Sequence, residues 1–394
     1  MIEFQTPLLA KLTTFLGTES ALLDRYANNL AIAGQRAYAR NKWYGLRSAL
    51  QPLTSLPRLR ACGRVPRSTA VGVRSTGGKA GYSGLVTCGS VWSCPVCSRK
   101  IGARRAVDVG GVVAQAISEG YTVVFVTKTL RHHAGQSLSM LWDSVSTCWH
   151  SVVNTRWYRF MKIDTGLIGF IRSAEVTHGE NGWHPHTHVV LILRGDISDV
   201  ELADFVAGID KRWAAKAVSL GLLSPLAAGQ HYRRVGAGDI AEISSYMSKT
   251  HKDAPLDAGR IGLELTFTQS KTARAIHSTR SMWEVLEGAL RGEVTDVALW
   301  QIWERVSKGR RALSWSKGLR ERFQLDVEQT DEEIADEEIG TVEDTLVWIT
   351  NAGWLALVRE QPELIPEILN ITESGGFPAL AALLDAHGIP WTPA

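Results

Sequence analysis

The chain has 394 residues, 45% of them hydrophobic and 21% charged, which suggests two or three domains around cores of ordinary size. No run of about 18 apolar residues occurs, so no membrane span is expected. The N-terminus, interrupted by Glu3 and Lys11, lacks the layout of a signal peptide, and cytoplasm is the expected location. The net charge of +3 hides a division: residues 326–394 hold 15 acidic residues against one basic residue, Arg359, and residues 1–325 hold 42 basic against 25 acidic. A body with that excess suits a polyanion, nucleic acid first of all, although an Arg-rich solvated surface would look the same.

Residues 19–50 are rich in Ala, Leu and Arg and read as one or two helices, ended by Pro52 and Pro57. Four of the five cysteines follow: Cys62, Cys88, Cys94 and Cys97. Cys94-Pro95-Val96-Cys97 has the spacing that lets two thiolates reach one tetrahedral ion. With Cys88 and Cys62 the set predicts a structural Zn²⁺, unless a histidine replaces Cys62. Disulfides would need an oxidising compartment, and a redox pair would need a thioredoxin-like context. Cys148 falls in a helical stretch and reads as a core residue.

Residues 101–119 read as a helix stopped by Gly120, and 121–130 as a strand leading to His132 and His133, which lie near an active site or in an exposed loop. Residues 138–159 read as a crossing helix. Residues 166–176 form a second strand with Glu175 near its end, and His178-Gly179-Glu180-Asn181-Gly182 has hairpin chemistry. Then comes Trp183-His184-Pro185-His186-Thr187-His188, running into Val189-Val190-Leu191-Ile192-Leu193. Residues two apart on a strand share a face, so His186 and His188 project together, joined by His184 if the strand reaches that far. With Glu175 on the neighbouring strand they would make an open site for Mg²⁺ or Mn²⁺. Core histidines and a surface glutamate at a strand end are the plainer reading of the same residues.

Residues 196–221 read as a helix and 230–235 as a short basic strand with Arg233 and Arg234. In the stretch beginning at Asp239, Glu242 falls where a capping box would need it. Glu242, Tyr246 and Lys249 also share one helix face. A carboxylate, a phenol and an ammonium on one stripe suit phosphoryl chemistry.

A metal-binding strand followed by a Tyr-x-x-Lys helix resembles the HUH endonucleases, and among them the rolling-circle replication initiators (Rep proteins) of plasmids in Gram-positive bacteria, including actinobacterial members. The first Rep motif is matched by 125–130 with Arg131-His132-His133, and the metal motif by 182–188. The catalytic motif is matched by 242–249, the cysteine motif by 88–97 with Ser98-Arg99-Lys100, and a later motif by 308–320. Thr187 stands where the metal motif usually carries a hydrophobic residue, and His184 adds a third histidine to the choice of ligands.

The resemblance implies an α+β fold: an HUH domain with a central five-stranded antiparallel sheet and helices on one face. It implies that Tyr246 attacks one strand at a plasmid origin and becomes linked to the 5′ phosphate, that Lys249 steadies the developing charge, and that Glu242 activates water at termination. His186 and His188, with Glu175, would hold the catalytic ion. The nick site is expected as single strand in a hairpin flanked by duplex, with Arg131, Arg233 and Arg234 as candidate contacts. Host helicase and DNA polymerase are the expected protein partners, with homo-oligomerisation left open.

The expected organisation is an N-terminal helical region (1–57), a Cys-rich zinc module (58–105), the catalytic domain (106–285) and a helical C-terminal region with an acidic segment (286–394). Residues 259–269 resemble a final strand, Trp300 and Trp303 read as helix packing, and 345–369 and 377–384 as packed helices. The acidic stretch 326–338 reads as a solvated helix, or as a shield for the basic surface. The rivals are an HUH transposase or relaxase, a non-catalytic zinc-containing DNA-binding regulator, and a metal-dependent hydrolase acting on free substrates.

Overall fold

The computed structural model describes residues 19–235 and 279–394. The residues 236–278, with Glu242, Tyr246, Lys249 and the expected strand 259–269, lie outside this description.

The large sheet is built from β3 (Thr122–Thr129), β4 (Gly169–Gly179), β5 (Gly182–Leu193), β6 (Gln230–Val235) and β7 (Arg280–Ser281), in the order β6-β3-β5-β4-β7, and β8 (Leu313–Trp315) also pairs with β4. Every pairing is antiparallel. Strand β5 lies at the centre because its aliphatic half is buried on both faces: Val189, Leu191 and Leu193 on one, Val190 and Ile192 on the other. Helices α4 (Leu138–Val153) and α6 (Asp199–Ser219) cover the first face. The second face is covered by α3 (Pro95–Ser118), whose Val109, Val112, Val113 and Ala116 pack on Val123, Phe125, Val190 and Ile192. Among the described residues helices therefore lie on both faces, where the resemblance implied one. The crossing helix expected over 138–159 is two: Asn154 ends α4, and the Thr155 hydroxyl caps α5 (Arg156–Asp164) by accepting from the Tyr158 amide.

Residues 19–50 form one helix, α1 (Glu19–Leu50), followed by α2 (Pro57–Ala61). Between Cys62 and Cys88 the chain makes a hairpin, β1 (Ala70–Thr76) and β2 (Lys79–Ser83). Its loop is Gly77-Gly78, with φ of +54° and +71°, as a tight turn matched to strand twist requires. This hairpin forms a second sheet, β10-β9-β1-β2, with β9 (Thr345–Thr350) and β10 (Trp391–Pro393). Residues 345–350, expected as helix, are a strand because Thr345, Val347 and Ile349 alternate onto a buried face. Val347 and Ile349 share that core with Val71 and Val73 from β1. Helices α11 (Asn351–Glu360) and α12 (Leu364–Ala386) complete this core.

From residue 279 the chain runs through β7 into α7 (Met282–Leu290) and α8 (Val294–Ser307), and past β8 into the single turn α9 (Leu319–Arg322). Trp300 and Trp303 are buried packing residues, as expected. Asp296 on α8 is fully buried and accepts from both terminal nitrogens of Arg280, at 2.6 and 2.7 Å. The Arg280 hydrogen bonds hold the Asp296 carboxyl below its usual range. A depressed carboxylate contributes stability above its unfolded pKa and loses it as pH falls through the folded one. Arg280 is 36% exposed, so screening discounts the pair. Asp296→Asn is expected to cost about 1–2 kcal/mol at neutral pH. Paired denaturant melts should show that cost fading as the pH drops below the carboxylate range.

The acidic stretch is not a free-standing solvated helix. It contains the short helix α10 (Asp331–Asp336), whose Ile334 and Ala335 are buried. Its carboxylates pair outward with the basic flank of the cysteine region: Asp331 with Arg105 at 2.7 Å, Asp336 with Arg67 at 3.1 Å, and nearby Glu338 with Arg74 at 3.1 Å. No helix among the described residues is long and apolar enough to cross a membrane.

Candidate metal centres

The β4–β5 hairpin sets the first centre. Its loop is Glu180-Asn181, and Gly182, at φ +80°, closes it so tightly that a Cβ there would meet Ala134 Cα at 2.8 Å. The register then puts Glu175 opposite His186, Ser173 opposite His188 and Thr177 opposite His184. Facing residues share a side of the sheet, so Glu175 and the three histidines form one stripe. The stripe continues into Val190 and Ile192, which α3 covers.

Glu175 Oε2 lies 3.0 Å from His186 Nε2 and 2.9 Å from His188 Nε2, and all three residues are grouped as donors able to reach one ion. Adjacent donors on a divalent ion with bonds of about 2.1 Å stand about 3.0 Å apart. The second ring nitrogens support that use. His186 Nδ1 lies 3.3 Å from the His184 carbonyl, which can only accept, so Nδ1 is the donor there and Nε2 is the nitrogen turned toward Glu175. A divalent ion bound by Nε2 and the carboxylate would take the place of a proton between them. His188 Nδ1 is held by Thr127 Oγ1 at 3.0 Å, and Phe125 stacks on the His188 ring at 5.2 Å. The donor set thus fits a divalent ion.

His184 joins the stripe without joining that group. Its Nδ1 lies 2.6 Å from His132 Nε2, and His132 Nδ1 lies 3.0 Å from the Asn181 carbonyl. Burial, then the neighbouring imidazoles, pushes the His184 pKa down to about 3. His132 is therefore brought to the edge of the centre, whereas His133 Nδ1 accepts the Gly135 amide in an exposed turn. Sequence reasoning did not find Thr127. Its signal was parity: Thr127 alternates with Phe125 on the strand beside β5.

The candidate DNA-contacting arginines separate. Arg233 lies opposite Phe125 and over its ring at 5.6 Å, on the face of the histidines, and its Nη2 is buried without a partner among the described residues. Arg234 points to the other face, where it bonds Asp199, the Ile197 carbonyl and Thr122. Arg131 is exposed just past β3.

The second centre is the cysteine cluster. Cys62, Cys88, Cys94 and Cys97 are all buried and form no disulfide. Cys62 Sγ lies 3.8 Å from Cys94 Sγ and 3.5 Å from Cys97 Sγ, and Cys88 Sγ lies 3.6 Å from Cys97 Sγ. A tetrahedron of about 2.3 Å zinc–sulfur bonds has edges of about 3.8 Å. Burial and the adjacent thiols push Cys94 up, so the four could not all ionise without a cation among them. Cys94 also caps α3, the helix whose far half packs on Val190 and Ile192 at the aliphatic end of the same sheet face. Cys148 is an apolar core residue apart from this group.

Residues 85–201, which hold three of the four cysteines and the whole histidine stripe, match the replication-protein family Rep_1. A protein from Streptomyces lividans named "Protein rep" is 26% identical over 364 residues, which cover 76% of this chain and 78% of that protein. A Streptomyces cyanogenus "Neomycin resistance protein" is 30% identical over 155 residues, 33% of this chain and 36% of that one. A "Protein rep" of Streptococcus pneumoniae serotype 2 is 30% identical over 105 residues, 26% of this chain and 31% of its own length. No solved structure matches the chain.

Proposed function

We propose that this chain, whose residues 85–201 match the replication-protein family, initiates rolling-circle replication of a plasmid by nicking one strand at the origin. The observation that carries the reading is the convergence of Glu175, His186 and His188 inside that segment, on the open end of a sheet face whose other end is sealed by α3. A divalent ion, Mg²⁺ or Mn²⁺, held by these three would polarise the scissile phosphate and offset its developing charge.

The chain's own residues supply the rest. Tyr246 is the nucleophile: its phenolate oxygen forms the bond to the 5′ phosphate while the bond to the 3′ oxygen breaks, leaving a 3′-OH as primer. A free tyrosine has a pKa of about 10, so Lys249 favours the charged form and steadies the phosphate. Glu242 takes the proton from water when the cycle ends by hydrolysis. Thr127 positions His188 through Nδ1, and Arg233, with its unpartnered nitrogen beside the stripe, receives a phosphate of the single-stranded nick site. Arg131 lies at the rim, and Arg234 acts by anchoring β6 to the start of α6. The cysteine cluster holds Zn²⁺ as a structural ion, and host helicase and polymerase follow the nick.

The test is incubation of the protein with a supercoiled plasmid carrying its origin, with Mn²⁺ or Mg²⁺. Nicked circles and a denaturant-resistant protein–DNA adduct are expected, with the adduct lost in Tyr246→Phe. Nicking unchanged by that substitution would remove Tyr246 from the mechanism. Origin binding without nicking would leave a zinc-containing DNA-binding regulator, and nicking indifferent to the origin would point to a transposase or relaxase. Thr127→Val is expected to lower affinity for the activating ion about 10- to 100-fold with the fold intact. A Mn²⁺ titration of nicking checks this: a shifted midpoint with an unchanged plateau marks a positioning role.

A further inference from the structure

On the face of the large sheet opposite the histidine stripe, α4, β4 and β8 border an open cavity of about 460 Å³. Its walls include Ser146, Thr147, Trp149, Phe170, Arg172 and Ser314. Volumes of about 300–1,000 Å³ are those of small-ligand sites.

The walls carry donors in excess. Arg172 is half-buried, and burial pushes its pKa down. Its Nε donates a long hydrogen bond, 3.5 Å, to Ser314 Oγ. No described carboxylate pairs with it, whereas the similarly enclosed Arg40, Arg105 and Arg320 each have one. The Trp149 indole nitrogen is buried and has no acceptor. Ser146 and Thr147 add hydroxyls, and Phe170 meets Trp149 edge-on at 5.2 Å to form an aromatic wall. A guanidinium partly withdrawn from water with no carboxylate beside it is a natural partner for an anion. Beside an unpaired indole N–H and aromatic rings, the fitting anion is an oxyanion with a planar group attached.

We propose that this cavity binds the phosphate of a nucleotide, free or within a strand, at a site separate from the metal centre. Arg172 and the Trp149 N–H take the phosphate oxygens, and the aromatic wall takes the sugar and base. The site rests on its own residues and does not depend on the nicking reading.

The test uses the full chain and three probes: pyrophosphate, a deoxynucleoside monophosphate, and a short single-stranded oligonucleotide without origin sequence. Affinities are measured for the native chain, Arg172→Met and His188→Ala. The expected result is binding of at least one probe that weakens about 10- to 100-fold in Arg172→Met and persists in His188→Ala. Binding of the monophosphate identifies a free nucleotide as the source, and binding of the oligonucleotide alone identifies a strand. Melting without any probe supplies a second readout: Arg172→Met should melt no lower than the native chain, because the substitution removes an uncompensated charge. Equal affinities of the native and Arg172→Met chains, no binding of any probe, or a marked fall in melting temperature would overturn the proposal.

Discussion

Replacing His188 by alanine is expected to lower origin nicking by about 10³-fold and to leave the chain folded. The imidazole is one of three candidate ligands, with its Nε2 2.9 Å and the His186 Nε2 3.0 Å from Glu175 Oε2, and the other two cannot hold an ion as firmly alone. Metal-ion stabilisation of a phosphoryl transition state contributes several kcal/mol, and about 1.4 kcal/mol corresponds to a tenfold change in rate. The fold should survive because His188 ends the aliphatic run of β5 rather than filling it: the sealed core begins at Val189 and Val190. Single-turnover nicking across a Mn²⁺ series, with circular dichroism alongside, measures both parts. A native rate in the alanine variant would mean that the stripe is structural.

Replacing Cys94 by serine is expected to destroy the cysteine region rather than weaken it. Structural zinc contributes about 10–16 kcal/mol of apparent binding energy in small modules, against a total stability of about 5–15 kcal/mol for a typical domain. Losing one ligand of four forfeits enough of this, on the order of 5 kcal/mol or more, to unfold what the ion holds. The damage should spread, because Cys94 starts α3 and α3 seals the second face of the large sheet. The native chain should carry one zinc per molecule by elemental analysis, and Cys94→Ser should lose it and become insoluble or melt many degrees lower. Cys148→Ser is the control. It is buried in the core but outside the cluster, so it should keep its zinc and lose about 1–2 kcal/mol. A Cys94→Ser chain as stable as Cys148→Ser would exclude a structural ion.

Both centres were legible because their signals are local. Strand periodicity puts His184, His186 and His188 on one face, and the hairpin through Glu180-Asn181 carries Glu175 back beside His186. The CxxC pair is fixed by its spacing, and four buried sulfurs do converge around it. What escaped was non-local. Nothing near residues 70–83 announces that β1 pairs with a strand about 270 residues later, and the six residues of β9 are short enough to look like the start of the helix that follows. Helix α3 sealing the aliphatic end of the histidine face was equally hidden, because Val109, Val112 and Val113 suit any helix with an apolar stripe. The break at Asn154–Thr155 depends on one hydroxyl finding the Tyr158 amide, a choice made by the backbone rather than by composition.

The pairing of β1 with β9 sets a timetable for making this protein. Strand β1 emerges from the ribosome early, but the edge it offers to β9 stays open until residues 345–350 follow. At about 5–20 residues per second, the wait for some 270 residues is roughly 15–50 s. The candidate ligands Glu175, His186 and His188 are made within that interval. A chain that stopped short of β9 would hold Glu175, His186 and His188, yet leave Val71 and Val73 without the strand and helices that bury them. Open apolar strand edges invite aggregation. Translation arrest would therefore tend to send unfinished chains toward aggregation, so an active population would consist of molecules whose synthesis had passed β9.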